Sequence, residues 1–416
     1  MPGSAFSPLQ RWVMVVAGFA GFAYVYFVTY TPWNLTNAFF VGTPIGRDFV
    51  NFWMAGHLAL TGQLDILVDD KSYGPLIIRM FDFANGTQFI FSYPPHSLLL
   101  LVPFALLPFV LSAWLWTGLN LFCAYRSVQI LKPDRALGIV ACLSPAILIM
   151  AAYGHFGAFL GLLAVYILAR GHDRPAVAGA LLAVITVKPH FAAFFGLFLL
   201  LAGYRRAVLF AIPFTAALVG LSLLAFGVKP WTNFFQVTVP VHARVISELD
   251  FPALRTAISP YIGAGMAGLP AWAAQAVQVL VSAVVLGGAV PLLIKRGATP
   301  RTMTLALLAS ILAIPYSSAY DLAILAAPLT LAFFAERPGD DRLFLPFVPA
   351  FLLWVMPPFA WHFGLAVWPV APGLVAALFL LGLAREHLAV LRMDRARWEP
   401  SPVAAQSTLP PSPGHA

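Results

Sequence analysis

A chain of 416 residues that is 61% hydrophobic and only 10% charged cannot cover itself with a water-compatible surface, since soluble domains carry about 25% charged residues. Its 24 Lys and Arg against 16 Asp and Glu give a formal net charge of +8. This does not imply nucleic acid, because the basic residues sit in short clusters between apolar runs, where the positive-inside rule assigns them to the cytoplasmic face of a membrane.

The mean hydropathy of +0.86 leaves an all-α, polytopic integral membrane protein. Its first apolar run, Trp12 to Tyr30, is long enough to span about 30 Å of hydrocarbon. No small-residue cleavage site follows it, so it is predicted to be an uncleaved first span. A long external loop, 31–93, comes next. Within it Phe49, Phe52, Trp53 and Gly56 recur at helical spacing, which predicts an interfacial amphipathic helix over 48–61 with Asp48 as its N-cap or first residue. Ser92-Tyr93-Pro94-Pro95-His96 reads as an extended approach that opens a helix. That helix, 94–107, rises only about 20 Å. It is therefore predicted to be re-entrant or interfacial, broken at Pro103 and Pro108, and followed by a true span over 109–131.

From Lys132 onward, basic clusters alternate with pairs of apolar segments. The pairs are 136–151 with 155–170, 176–188 with 191–203, 207–226 with 271–294, 302–316 with 320–335, and 343–357 with 365–386. Each pair reads as an out-and-back hairpin, giving about twelve crossings with both termini cytoplasmic. Cys123 and Cys142 both lie in apolar runs and are expected to be small buried hydrophobes rather than disulfide partners. Residues 1–398 form one transmembrane domain, with a second large external loop at 227–270. The Pro- and Ser-rich segment 399–416 is predicted to be a disordered cytoplasmic tail.

This topology collects the polar groups that lack a topological role on the external face. Asp48 has two readings: a helix cap, or a carboxylate that takes a proton from a hydroxyl at the water–lipid boundary. Tyr93 with its two prolines is either a stiff corner with an interfacial anchor or part of a binding site. Lys188, beside Pro189 and His190, either snorkels outward, against the positive-inside bias, or meets an anionic ligand such as a phosphate. His242, Arg244 and Arg255 in the second loop are further candidates for an anionic partner. Asp321, in Pro315-Tyr316-Ser317-Ser318-Ala319-Tyr320-Asp321, is expected to serve as a helix N-cap. The chain has no Walker loop, dinucleotide fingerprint, HExxH or Gly-x-Ser-x-Gly elbow, and no soluble domain for a nucleotide sugar. A transferase of this composition takes its donor from the membrane.

Gly46-x-Asp48-Phe49-x-x-Phe52-Trp53-x-Ala55, Tyr93-Pro94-Pro95, Lys188-Pro189, and Pro315-Tyr316 with Tyr320-Asp321 occur in an order that resembles glycosyltransferase family 87. These are the polyprenol-phosphate-mannose-dependent enzymes of the GT-C superfamily. The family often has a Gly-Gln pair where this chain has Gly154-His155. The resemblance implies a metal-independent, cofactor-free enzyme of the plasma membrane that inverts the sugar it transfers. The sugar, mannose or another hexose, passes from a polyprenyl-phosphate donor to an acceptor hydroxyl on the external leaflet, with Asp48 as general base. The donor phosphate is assigned to Lys188, His190, Arg244 and Arg255. Substrate contacts are assigned to Arg47, Asn51, Tyr93 and His155, and to Tyr316, Tyr320 and Asp321. The alternatives are a lipid or polyisoprenoid transporter and a non-catalytic scaffold for envelope assembly; neither requires an external carboxylate.

Overall fold

The computed structural model describes residues 46–81, 89–248, 257–335, 352–356 and 370–398, with scattered positions between 12 and 40. Most of the predicted first span, most of the 343–357 segment, Arg255 and the 399–416 tail lie outside the described residues. Among the described residues the chain is helical, apart from a two-residue pairing of Trp33–Asn34 with Phe39–Phe40 and one bridge between Ala257 and Ser318.

Three helices are long and apolar enough to cross a membrane: Arg205–Phe226, Ala271–Arg296 and, within Val370–Trp398, Ala371–Leu391. Two bent pairs raise the number to five. Pro95–Ala105 meets Phe109–Leu131 at 115°, and Arg135–Cys142 meets Pro145–Tyr153 at 49°. The remaining apolar helices, among them Gly157–Arg170, Pro175–Ile185, Pro189–Leu201 and Pro300–Leu312, are shorter. Length and composition thus support three to five crossings among the described residues, fewer than the twelve or so expected from hydropathy and charge. Short helices account for part of the difference, and proline starts several of them. It opens the helices at Pro145, Pro175, Pro189 and Pro300, where its missing N–H is harmless; the last three are 11–13 residues long, and the expected first span and the 343–357 span lie largely outside the described residues.

The re-entrant reading of 94–107 needs one correction. Pro103 sits inside the Leu98–Ala105 helix without breaking it. The break falls at Pro108, whose extended backbone (ψ 143°) starts the Phe109–Leu131 helix.

The surface helix expected over 48–61 is also corrected. It runs Arg47–Leu60, and its apolar face is packed against the protein, with Phe49, Val50, Phe52, Met54, Ala55 and Leu58 all at 2% exposure or less, while Asn51, Trp53, His57 and Ala59 stay partly exposed. Gly56 allows the close approach to the Leu98–Ala105 helix: a Cβ there would lie 2.8 Å from the Leu101 carbonyl oxygen. Trp53 Nε1 donates to Leu107 O at 3.1 Å and ties the same two elements together.

Pro300–Leu312 is the central helix, with every residue from Thr302 to Leu312 buried. Gly161 and Gly179 bring neighbouring helices into backbone contact, their notional Cβ atoms falling 2.6 Å from Ile324 O and 2.8 Å from Ala207 O. Small residues at such contacts are how helices associate where lipid supplies no hydrophobic drive. At one end of the bundle Glu386, 4% exposed, accepts from Arg296 Nη1 at 3.1 Å and lies 3.7 Å from Arg301 Nη1. This pairing fastens the Val370–Trp398 helix to its neighbours.

Candidate active site

Two glycines bring the first helix to the site. Gly46 caps the Arg47–Leu60 helix in the left-handed region (φ 72°), and its N–H donates to Ala152 O at 2.7 Å. Gly154 closes the Pro145–Tyr153 helix with φ 74°, and Trp116 Nε1 donates to its carbonyl at 2.9 Å. A Cβ on Gly154 would lie 2.6 Å from Phe49 Cβ and 3.1 Å from Gly46 Cα. The first turn of one helix therefore rests directly on the Gly154-His155 turn. Gly154→Ala should lower the thermal midpoint in detergent, because a left-handed alanine alone costs about 1–2 kcal/mol before the clash with Phe49 is counted. An unchanged midpoint would show that this contact is loose.

Asp48 is the second residue of its helix rather than the N-cap, which is Gly46. It is partly exposed, and the helix N-terminus favours its negative charge. Both Tyr93 and Tyr320 feel that charge, as they do that of Asp321. Tyr93 hydroxyl and His155 Nε2 are joined by a hydrogen bond of 3.1 Å. Phe52 holds the Tyr93 ring edge-on at 5.0 Å, and the His155 ring is stacked between Phe156 at 4.4 Å and Tyr320 at 4.3 Å. Burial pushes the Tyr93 phenol up, with Asp48 adding to it. His155 Nδ1 and Ser317 Oγ are buried with no hydrogen-bond partner among the described residues, so each has polar capacity to offer a bound hydroxyl.

Lys188 does not snorkel to an interface. It is 3% exposed and forms an ion pair with Asp321, itself 2% exposed, and its ammonium lies 5.4 Å from the centre of the Tyr320 ring. Nor is Asp321 an N-cap. It sits one turn in, where its Oδ2 accepts from Ser318 N at 3.1 Å as half of a capping box that starts the 3-10 segment Ala319–Leu325. The Pro315–Ser318 turn is held in turn by the second loop: Ile258 N donates to Ser317 O at 2.8 Å, and Ser259 Oγ donates to Pro315 O at 2.6 Å.

The other assigned residues divide. His190 feels Lys188 and His242, and the half-buried Tyr316 feels the same field as Tyr320; both belong to the cluster. His242 on the Val239–Glu248 helix is thereby brought to it, whereas Arg244, two residues on and exposed, lies near the opposite face of that helix. Arg255 and the Arg47 side chain lie outside the described residues. Asn51 is committed to the frame: its Nδ2 donates to Ile90 O at 3.0 Å, and Tyr73 hydroxyl donates to its backbone carbonyl at 2.9 Å. His96 likewise stiffens the corner after Tyr93, 3.0 Å from Thr186 Oγ1 and stacked on Trp231. Among the described residues, no three His, Cys, Asp or Glu side chains are grouped to hold a metal ion.

The useful feature of His155 is the ring nitrogen facing Tyr93, which a glutamine amide reproduces. His155→Gln should therefore keep most activity, while His155→Ala loses the Tyr93 bond and both ring contacts. Equal activity of the two variants would remove His155 from the site.

Over residues 91–318, more than half of the chain, the sequence matches the family model of glycosyltransferase family 87. No curated protein and no solved structure matches it. With its apolar helices, the molecule is a membrane glycosyltransferase, an enzyme that needs a sugar donor and an acceptor. It belongs to glycosyltransferase family 87. Tyr93, His155, Lys188 and Tyr316 fall inside the matched stretch. Asp48, Tyr320 and Asp321 lie beyond it and reach the cluster through the fold.

Proposed function

We propose that the enzyme transfers mannose or another hexose, with inversion, from a polyprenyl-phosphate donor to an acceptor hydroxyl on a lipid, glycan or protein. The supporting observation is the meeting of Asp48, Tyr93, His155, Lys188, Tyr320 and Asp321 at one end of the bundle. The partly exposed Asp48 carboxylate acts on Tyr93 and Tyr320, and the buried Lys188 ammonium lies 5.4 Å from the Tyr320 ring centre. In the step assigned to this cluster, the acceptor oxygen attacks C1 of the sugar while its proton passes to the Asp48 carboxylate. The bond from C1 to the phosphate oxygen breaks, and polyprenyl phosphate leaves with the electron pair. Lys188, with His190 beside it, meets the charge on that leaving group. The partly exposed Tyr320, stacked on His155, gives the sugar ring an aromatic surface.

The proposed topology keeps about twelve crossings and both termini cytoplasmic, and sets the cluster at the external leaflet of the plasma membrane. Two measurements test the reading. Membranes containing the protein, given labelled polyprenyl-phosphate mannose, should yield a labelled acceptor, and no transfer from any polyprenyl-phosphate hexose would overturn the donor class. A cysteine placed in 227–248 should react with an impermeant thiol reagent from outside, and one beside Arg205 should not; the reverse pattern would invert the topology.

A further inference from the structure

The far end of the bundle holds a second polar concavity. A cavity of about 720 Å³ is lined by Arg126, Arg170 and Arg174, together with Tyr166, Gln129 and Asp173. Its position follows from two helices that run side by side in the same direction. Trp116 bonds to the Gly154 carbonyl at 2.9 Å, Phe159 N donates to Asn120 Oδ1 at 3.2 Å one turn on, and Arg126 and Arg170 meet at the other end. Arg170 follows His155 along one helix, so the cavity lies roughly 20 Å from the catalytic cluster.

The positive-inside rule accounts for basic residues in loops, but it does not gather guanidiniums around a hollow. Arg126 lies within the Phe109–Leu131 helix, more than a turn before its end, and faces arginines from the end of a different helix and the loop beyond it. Among the described residues none of these three arginines pairs with a carboxylate within 4.0 Å, although Asp173 lines the same cavity. Planar guanidiniums converging in this way suit the oxygens of a phosphate. The occupant's other half is indicated by the helix face below Arg126. Leu111, Leu115 and Phe122 share that face and are 49%, 48% and 57% exposed, making an apolar track that ends at the basic cavity. A soluble phosphate would have no use for such a track.

We propose that this cavity binds the phosphate headgroup of an anionic membrane lipid in the leaflet opposite the catalytic cluster, with the lipid's chain lying along Leu111, Leu115 and Phe122. Basic pockets between membrane helices are suited to such headgroups. Native mass spectrometry of the full-length protein, released from micelles doped with phosphatidylglycerol or with phosphatidylcholine, tests the assignment. The wild type should retain phosphatidylglycerol in preference to phosphatidylcholine, and excess inorganic phosphate should not displace it. Arg126→Gln should weaken retention about ten-fold or more, and Arg126→Gln/Arg170→Gln/Arg174→Gln should abolish it. A control with equal charge loss outside the cavity, Arg205→Gln/Arg206→Gln/Lys295→Gln, should retain the lipid. If the cavity triple variant does not fold, the exposed single change decides. Equal loss in the control, no preference between headgroups, or displacement by inorganic phosphate would each overturn the proposal.

Discussion

Asp48→Asn should leave a folded, donor-binding protein whose transfer rate has dropped by at least about a hundred-fold. An acceptor hydroxyl is a poor nucleophile until its proton is removed as the new bond forms, and general-base assistance contributes about 10²–10⁴-fold. Asparagine keeps the size and polarity of the side chain but cannot take that proton. The helix cap is untouched, because Gly46, not Asp48, caps the helix, and the dipole interaction weakened at the second position is worth about 0.3–1 kcal/mol. Asp321 is the other carboxylate in the cluster, and its two oxygens are already engaged by Lys188 and by Ser318 N–H. Asp48→Glu displaces the carboxylate by about one bond length and should restore only a little activity. Transfer from a polyprenyl-phosphate sugar in nanodiscs, with donor binding measured alongside, separates the outcomes. Near-normal transfer by well-folded Asp48→Asn would strip Asp48 of the role and pass it to Asp321.

Lys188→Ala carries the second large effect, and it has two parts. Removing the ammonium leaves the Asp321 carboxylate buried without its partner, which costs about 3–5 kcal/mol, so the single variant should be poorly expressed or thermally fragile. Replacing both members, Lys188→Met with Asp321→Leu, removes the uncompensated charge and should restore much of the stability. The restored protein still lacks the cation assigned to the donor phosphate. Its apparent donor affinity should therefore fall about ten- to a hundred-fold, as expected for one charge-assisted contact. Lys188→Arg should retain part of both properties. A stable double variant that uses donor with normal affinity would reduce Lys188 to a structural counter-ion.

What could be read from the chain alone depended on how local the signal was. The Phe109–Leu131 helix falls on its expected limits, and Ala271–Arg296 and Arg205–Phe226 differ from theirs by only two residues at one end, because a long unbroken apolar run is itself the determinant. Short motifs with Asp48, Tyr93, Lys188 and Asp321 marked residues that do meet in space. Their pairing was not legible. Nothing near Lys188 announces a carboxylate 133 positions away, and a lysine beside an apolar helix reads equally well as snorkelling. The Arg47–Leu60 helix misled for a related reason: its polar residues imitate a solvated face, yet Asn51 is spent on Tyr73 and Ile90, and His57 stacks on Trp53 at 5.0 Å. His242 and Arg244 were both marked by charge, and helical phase, which sets His242 toward His190, was not legible from the loop's sequence.

The ion pair between Lys188 and Asp321 also sets an order of events during synthesis. The lysine is made 133 positions ahead of the aspartate, so its hairpin reaches the membrane first. Over that interval the nascent chain holds an unmatched cation among apolar helices, a costly arrangement in a bilayer. Only the arrival of the Ala319–Leu325 segment neutralises it, and the same segment delivers Tyr320 to the face of His155. The arrival of that one segment thus completes both the ion pair and the contact between Tyr320 and His155. A polypeptide cut short before residue 321 would leave Lys188 without the carboxylate it pairs with.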